Sequence, residues 1–149
     1  MYTTTDGPEF NNDAWFDVKF TLGLDFPNLP YLMDGDFKIT ESEAIMKYIA
    51  AKWSPELLGQ GTEKIATVQM ISGVFYDLTK SLGAAYSNPN KAEIAEIGMK
   101  KIKFVSDFLA DKKFLVGTIT YVDFYLFSLC QYLDFLTDGD LYIKHPNLL

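Results

Sequence analysis

Residues 22–42 read LGLDFPNLPYLMDGDFKITES, and the rest of the chain is organised around this stretch. Within it, residues 29–33 form an apolar run without polar alternation, which predicts a β-strand buried on both faces. The Asp-Gly-Asp sequence at residues 34–36 predicts a hairpin turn, because glycine readily adopts the positive φ that such turns need. Residues 37–40 then return as a partner strand, so the stretch predicts an antiparallel hairpin.

Helical patterns flank this hairpin on both sides. Upstream, Asp13 can cap a short helix over residues 14–20. Downstream, Thr40 or Ser42 can cap a second helix over residues 41–53. Apolar residues recur on one face of the second helix at i, i+4 and i+8, and they are Ile45, Ile49 and Trp53.

From residue 62 onward the chain carries only helical patterns. Three apolar stripes predict three helices with buried faces. The stripes are Val68, Ile71, Phe75, Leu78 and Leu82; Ile94, Ile97, Ile102, Val105 and Leu109; and Leu126, Leu129, Leu133 and Leu136. A capping box of Thr120 and Asp123 opens the third helix. The glycine-containing segment 54–61 is predicted to link a domain over residues 1–53 to a helical domain over residues 62–149.

The composition narrows the class of protein. The chain has 149 residues, of which 48% are hydrophobic and 15% aromatic, enough for one domain with a core or for two small subdomains. Its net charge of −7 argues against binding to nucleic acids or anionic membranes, because both need a basic patch. No apolar run approaches the ~18–20 residues of a membrane span, and no signal-peptide pattern follows Met1. Because Cys130 is the only cysteine, we expect a reducing cytoplasm and no internal disulfide. His145 is the only histidine, so no Cys/His cluster exists for a zinc site of the usual kind.

Three segments carry a resemblance to a known family. They are YTTTDGPEFNNDAW at residues 2–15, KFTLGLDFPNLPYLMDGDFKITESEAIMKY at residues 19–48 and VGTITYVDF at residues 116–124. The sequence resembles the cytosolic glutathione transferases, and within them the mu class. The resemblance implies an α+β fold, in which a partial thioredoxin-like domain (ββα plus the tail of a strand) precedes an all-helical domain. Compared with the family pattern, the first βαβ unit and the last helices are absent, so the strands are expected to need another partner.

The resemblance also implies residues that bind the cysteine and glycine parts of glutathione. The Asn28-Leu29-Pro30 bend pairs with the backbone of the ligand's cysteine through a cis proline, which about 5–6% of X-Pro bonds adopt. Trp15 and Lys19 contact the glycine carboxylate. The alternatives are that Pro30 only shapes the strand entry, that Trp15 packs in the core and that Lys19 is solvated.

At the γ-glutamyl end, the resemblance assigns Glu41 and Ser42 at the start of a helix. Ser42 donates to the carboxylate, with the partial positive charge of the helix N-terminus, and Glu41 favours the amine. Asp77 matches an aspartate that reaches the amine from the neighbouring subunit. The alternatives are an ordinary N-cap and a solvated helix charge. Asn12 stands where the mu pattern has an arginine, so one cation is lost.

The family's catalytic tyrosine lies on the first strand, which this sequence lacks, so no catalytic residue is assigned and Tyr2 is not a substitute. A second family tyrosine, near the electrophile, falls on Ser87, with Tyr86 one position away. That offset turns a side chain by about 100° on a helix. Phe26 matches the key aromatic that inserts between helices of the partner subunit, and its alternative is to fold onto its own core.

Two functions follow from these expectations. The first is a glutathione S-transferase that joins the glutathione thiolate to small electrophiles, provided that the catalytic strand is supplied. The second is a non-catalytic binding or structural subunit of a larger assembly. In both cases we expect glutathione as the ligand or co-substrate, no metal or other cofactor, no nucleic acid or membrane, and a homodimer or larger protein assembly.

Overall fold

The computed structural model describes residues 13–83 and 90–149 of the chain. It divides the chain into two units, Met1–Lys52 and Trp53–Leu149. The segment predicted to be a linker belongs to the second unit and contains a 3₁₀-helix, Pro55–Leu58. Proline suits the first turn of such a helix, because its missing N–H would have no partner there.

The first unit contains the predicted hairpin. Strand β1, Tyr31–Asp34, pairs antiparallel with strand β2, Phe37–Thr40, so that Tyr31 faces Thr40 and Asp34 faces Phe37. Gly35, the first residue of the two-residue turn, has φ +61°, as a II′ hairpin turn requires. The hairpin is therefore confirmed. β1 begins after Pro30 and not at residue 29, because proline has no N–H to donate to a strand ladder.

The prediction that β1 is buried on both faces is wrong. Met33 is 42% exposed, and the other three residues of the strand are half-buried. In the part of the chain that the structure describes, the sheet has only two strands. The aromatic rings that cover it are those of Trp15, stacked on Tyr31 with ring centroids 6.0 Å apart, and of Tyr48, stacked on Phe37 at 4.6 Å. A two-stranded sheet with this cover cannot bury both of its faces.

The two helices of this unit also differ from expectation. Helix α1, Asp13–Phe16, is a single turn, and the chain continues to residue 20 in turns that include a Lys19 N–H to Trp15 carbonyl bond of 2.8 Å. Helix α2, Ser42–Trp53, buries Ala50, whereas Ile49 and Trp53 are exposed. The predicted apolar residues do share one face of α2, but the described part of the chain does not bury that face. The buried direction follows Ala50, which is rotated by about 100° from Ile49.

All regular secondary structure in the described residues of the second unit is helical. Helices α3, Thr62–Gly83, α4, Lys91–Leu109, and α5, Tyr121–Leu136, form its core, followed by the short α6, Asp140–Lys144, and a 3₁₀-helix, Pro146–Leu148. The predicted α3 stripe is buried in full, and that of α5 is buried except for Leu136, which is partly exposed. On α4, Ile97 is exposed while Gly98 is buried. A Cβ atom on Gly98 would lie 2.7 Å from Leu133 and 2.8 Å from Leu82, so glycine lets the three helices approach closely.

Two polar caps hold the helix ends of this unit. The Asp123 carboxylate accepts from the Thr120 N–H at 2.7 Å, the Thr120 hydroxyl at 2.9 Å and the Leu115 N–H at 2.9 Å. The carboxylate half of the predicted capping box is therefore confirmed. The second cap is at the C-terminus of α4. There the Asn147 side-chain amide donates to the carbonyls of Ser106 at 2.9 Å and Ala110 at 3.1 Å.

Candidate functional site

The bend before β1 and the start of α2 lie side by side. The Leu29–Pro30 peptide bond is cis, as predicted. The Asn28 side-chain amide donates to the Glu41 carboxylate at 3.1 Å, so two of the predicted site residues are in direct contact. Glu41 itself has φ +72°, an uncommon conformation for a residue other than glycine. This left-handed turn redirects the chain from β2 into α2.

The N-terminus of α2 is open at this position. Ser42, its first residue, is exposed, and the Ile45 N–H bonds to the Glu41 carbonyl at 2.9 Å. The first N–H groups of an α-helix have no partner within the helix and carry partial positive charge. The helix N-terminus beside Ser42 can therefore accept an anionic group. The neighbouring Glu41 carboxylate can accept a cationic one.

Trp15 and Lys19 occupy different environments. Trp15 is only 6% exposed, and its ring stacks on Tyr31, the residue that follows the cis proline. The bulk of its indole is therefore part of the core of this unit. Lys19 is half-buried, and its ammonium is 5.8 Å from the centre of the Phe16 ring and 5.4 Å from that of Phe20. These contacts favour a cation in that place.

A polar network behind the hairpin holds β1 against α2. The Asp34 carboxylate accepts hydrogen bonds from the Lys52 ammonium and, at 2.7 Å, from the Tyr48 hydroxyl. The Lys52 bond and then the Tyr48 bond lower the pKa of Asp34, and the bond to Asp34 raises the pKa of Lys52. Sequence reasoning missed this network. Its signal was the i, i+4 spacing of Tyr48 and Lys52 on a helix that follows an acidic turn.

The remaining predicted residues lie elsewhere. Asp77 is on the exposed side of α3, in the second unit, where its carbonyl accepts from Ser81 at 2.8 Å. Phe26 is 79% exposed, so the alternative in which it folds onto its own core is wrong. Tyr86 and Ser87, proposed for the electrophile, lie outside the described residues, as do Tyr2 and Asn12.

A second feature was not predicted, namely an apolar groove between α3 and α4. It has a volume of about 150 Å³ and is walled by exposed residues on both helices. The lining residues are Met70, Ile71, Val74, Phe75, Phe104, Val105, Phe108 and Leu115. The signal in the sequence was a second apolar side on each helix, with Met70 and Val74 on α3 and Phe104 and Phe108 on α4, each at i, i+4.

The described residues contain neither a metal-binding cluster nor a membrane-spanning helix. Within residues 13–83 and 90–149, no three His, Cys, Asp or Glu side chains are grouped so as to hold a metal ion. None of the helices in the same ranges is both long and apolar enough to cross a membrane.

Comparisons with known proteins agree with this geometry. Residues 2–51 match the family model of the glutathione S-transferase N-terminal domain, and residues 69–149 match that of the C-terminal domain. Glutathione S-transferase Mu 1 of Homo sapiens is 39% identical over 132 residues, which is 85% of this chain and 60% of that protein. A glutathione S-transferase of Mesocricetus auratus matches with the same identity and coverage. The chain thus spans about 60% of the length of the curated relatives it matches.

Solved structures match as well. The crystal structure of the glutathione S-transferase Blo t 8 has a TM-score of 0.77 and 31% sequence identity, and the match covers 93% of this chain and 67% of that one. Rat hPGDS, solved in complex with a quinoline, has a TM-score of 0.72 at 22% identity, covering 93% of this chain and 71% of that one. At this lower identity the second match concerns the fold alone.

Proposed function

This chain belongs to the glutathione S-transferase family, with mu-class relatives, and from that membership we propose that it binds glutathione for transfer of the thiolate to small electrophiles. One observation carries the proposal. The cis Leu29–Pro30 bend and the open N-terminus of α2 adjoin each other through the bond between Asn28 and Glu41. A tripeptide with a backbone edge and an anionic end fits this combination.

Each part of glutathione has a partner in the proposal. The backbone of Leu29 pairs with the cysteine of the ligand, and the Ser42 hydroxyl with the α2 N-terminus takes the γ-glutamyl carboxylate. The Glu41 carboxylate, oriented by Asn28, attracts the amine of the ligand. Lys19 takes the glycine carboxylate. Trp15 contributes at most the edge of its ring there, because its body is buried.

The chemical step is attack by the glutathione thiolate. With an aryl halide, a carbon–sulfur bond forms, the carbon–halogen bond breaks and the halide leaves with the electron pair. A free thiol has a pKa near 8.5 and reacts as the thiolate, so the step needs a group that stabilises this anion. No residue of this sequence is assigned that role. Cys130 is no substitute nucleophile, because burial, with Asp134 adding to it, raises its pKa to about 12.

The test of binding is titration calorimetry with glutathione. Ser42→Ala should weaken glutathione binding by roughly tenfold, since a hydrogen bond to a charged group contributes about 1.5–3 kcal/mol. Ser54→Ala is the matched control, because Ser54 precedes a 3₁₀-helix without a side-chain cap bond. Equal affinities of the two variants would place glutathione somewhere other than α2.

The transferase part has its own measurement, which is turnover of an aryl halide at saturating glutathione. A rate above that of free glutathione supports the transferase, and a rate equal to it contradicts that part of the proposal while binding remains testable. The non-catalytic alternative expected from the sequence receives no support from the comparisons, because the mu-class relatives carry the name of transferases. We also propose a cytoplasmic location, since a chain with one cysteine suits a reducing compartment.

We further propose that two copies associate through Phe26. An exposed aromatic side chain on a loop is unfavourable in water, and the groove between α3 and α4 offers an apolar site of matching kind. In this arrangement Phe26 of one copy enters the groove of the other. In sedimentation velocity, Phe26→Ser should raise the Kd of the dimer at least tenfold. Loss of an aromatic side chain from the centre of an interface has an effect of this size. An unchanged Kd would contradict this interface.

A further inference from the structure

We propose that the interface between two copies also has a charged half, in which Asp25 of one copy pairs with Lys112 of the other, with Lys64 beside it. This inference rests on the proposed association through Phe26 and adds a second, electrostatic contact to it. The groove alone accepts any apolar side chain. The charges beside it would select the loop that carries an acid next to the aromatic ring.

The acidic partner in this pairing is Asp25. Asp25 directly precedes Phe26, and both side chains are exposed. Consecutive Cα atoms are about 3.8 Å apart, so the Asp25 carboxylate stays close to the Phe26 ring wherever that ring docks. Across the parts of the chain that the structure describes, the Asp25 carboxylate makes no hydrogen bond or ion pair. It is available for a partner on another molecule.

The basic partner lies on the wall of the groove. The Lys112 ammonium is 4.0 Å from the centre of the Phe108 ring, and it donates to the Leu115 carbonyl at 3.0 Å. Both Phe108 and Leu115 line the apolar groove. A ring inserted against Phe108 would therefore bring its neighbouring carboxylate close to the Lys112 ammonium. This shared ring is the geometric reason for pairing Asp25 with Lys112.

Lys112 also belongs to a polar pocket that adjoins the groove. This pocket has a volume of about 410 Å³ and shares Phe108 and Leu115 with the groove. Its full lining is Glu63, Lys64, Thr67, Phe108, Lys112, Leu115, Val116 and Gly117. Two lysines face one glutamate, so the pocket has a positive balance. Space is open at Gly117, where nothing lies within 4 Å of a Cβ position.

Neither Lys64 nor Lys112 forms an ion pair with a carboxylate of the described residues. Five lysines of the described residues form ion pairs with carboxylates, namely Lys47, Lys52, Lys100, Lys103 and Lys144. Lys64 bonds instead to the Thr118 hydroxyl at 3.2 Å, and Lys112 to a backbone carbonyl. Both therefore keep an unneutralised charge within the part of the chain that the structure describes.

The local charges at the docking point, and not the net charge, favour a second copy as the occupant of the groove. The chain carries a net charge of −7, so two copies repel each other over most of their surfaces. A local match of opposite charges at the docking point would set the orientation and offset part of this repulsion. The loop at residues 25–26 provides an acid and an aromatic ring in adjacent positions, as the adjacent polar pocket and apolar groove require.

The experiment is a charge-swap cycle measured by sedimentation velocity of the full chain. Asp25→Lys and Lys112→Glu should each weaken the dimer by roughly tenfold, because each places like charges together. The double variant should recover most of the lost affinity. Asp17→Lys and Lys113→Glu are the matched controls, since they change the net charge equally at exposed positions outside the groove and the pocket.

The outcomes separate the two proposals. If Phe26→Ser leaves the dimer Kd unchanged, both the proposed interface through the groove and the proposed charge pairing are contradicted. If Phe26→Ser weakens the dimer but the two charge swaps behave as their controls, only the pairing is overturned. Failure of the double variant to recover affinity also overturns it. The milder Asp25→Asn and Lys112→Gln repeat the cycle if a swapped variant does not fold, and they should weaken the dimer less at high salt, where the ion pair is screened.

Discussion

Glu41 shows how one residue can shape a site through its backbone. Its φ of +72° lies in the left-handed region, which costs roughly 1–2 kcal/mol for a residue with a Cβ atom. The bond from Asn28 holds its side chain in place. Because the chain turns sharply there, α2 begins beside the cis Leu29–Pro30 bend. The strain is thus located where the proposed ligand binds, as is common for functional sites.

Gly98 is a position at which the helical unit has no room for added volume. A methyl group there would meet Leu133 and Leu82, both buried, at 2.7 Å and 2.8 Å. Gly98→Ala should therefore lower the free energy of unfolding by about 1–3 kcal/mol, as overpacking does in well-packed cores. Urea unfolding followed by circular dichroism measures it.

The control for this change is Gly73→Ala on α3. Nothing lies within 4 Å of a Cβ atom at Gly73. This variant should be more stable than the wild type by about 0.5–1 kcal/mol, because alanine is the better helix former. Equal stabilities of the two variants would mean that α3, α4 and α5 move apart at little cost.

At the scale of elements, helices α3 and α4 each have two apolar sides with different roles. One side follows the predicted stripe and forms the core, whereas the other walls the groove with Met70 and Val74 on α3 and with Phe104 and Phe108 on α4. A helix that is apolar on more than one side is in contact with more than its own core. The second side is the surface on which we propose that another copy docks.

The elements also show what the sequence could predict. The α3 stripe, the hairpin and the Thr120–Asp123 cap followed from local patterns, because periodicity and turn chemistry act over a few residues. The burial of β1 and the buried side of α2 depend on which elements pack against them, which no local pattern contains. The site residues near Asn28 were identified by resemblance. The Asn28–Glu41 contact itself depends on the left-handed backbone of Glu41, which a Thr-Glu-Ser sequence does not indicate.

The link between β1 and α2 should depend on pH through Asp34. The pKa of Asp34 is lowered from its ordinary 3.8, with the Lys52 bond as the main cause. The stabilisation is therefore present above the ordinary pKa and is lost as the pH falls through the lower, folded-state value. Asp34→Asn should be less stable than the wild type near neutral pH and should lose less stability on acidification.

Urea unfolding between neutral pH and about pH 3 measures this difference. Asp36→Asn, in the same turn, is the control, because its exposed carboxylate makes no hydrogen bond or ion pair to the described residues. Parallel pH curves for Asp34→Asn and the wild type would contradict a role of this ion pair in stability.

At the scale of the whole molecule, the proposed site draws on both units and on two copies. The glutathione-facing bend and α2 belong to Met1–Lys52, whereas the groove and Asp77 belong to Trp53–Leu149. Under the proposed association, the second unit of one copy provides the groove for Phe26, and Asp77 for the ligand, to the first unit of the other copy. Binding of glutathione and association of two copies would then be linked, because each favours the same arrangement.

Asp77 provides the test of this linkage. If its carboxylate reaches the amine of glutathione in the neighbouring copy, Asp77→Asn should weaken glutathione binding by roughly tenfold in the dimer, the loss of one charge-assisted hydrogen bond. The same change in a Phe26→Ser background, which should be monomeric, should have no effect. Titration calorimetry of the four proteins measures both values. Asp107→Asn is the control, because Asp107 is an exposed helix carboxylate that pairs with Lys103. An equal loss in both backgrounds would assign Asp77 to the site of its own chain, and no loss in either would make it a solvated helix charge.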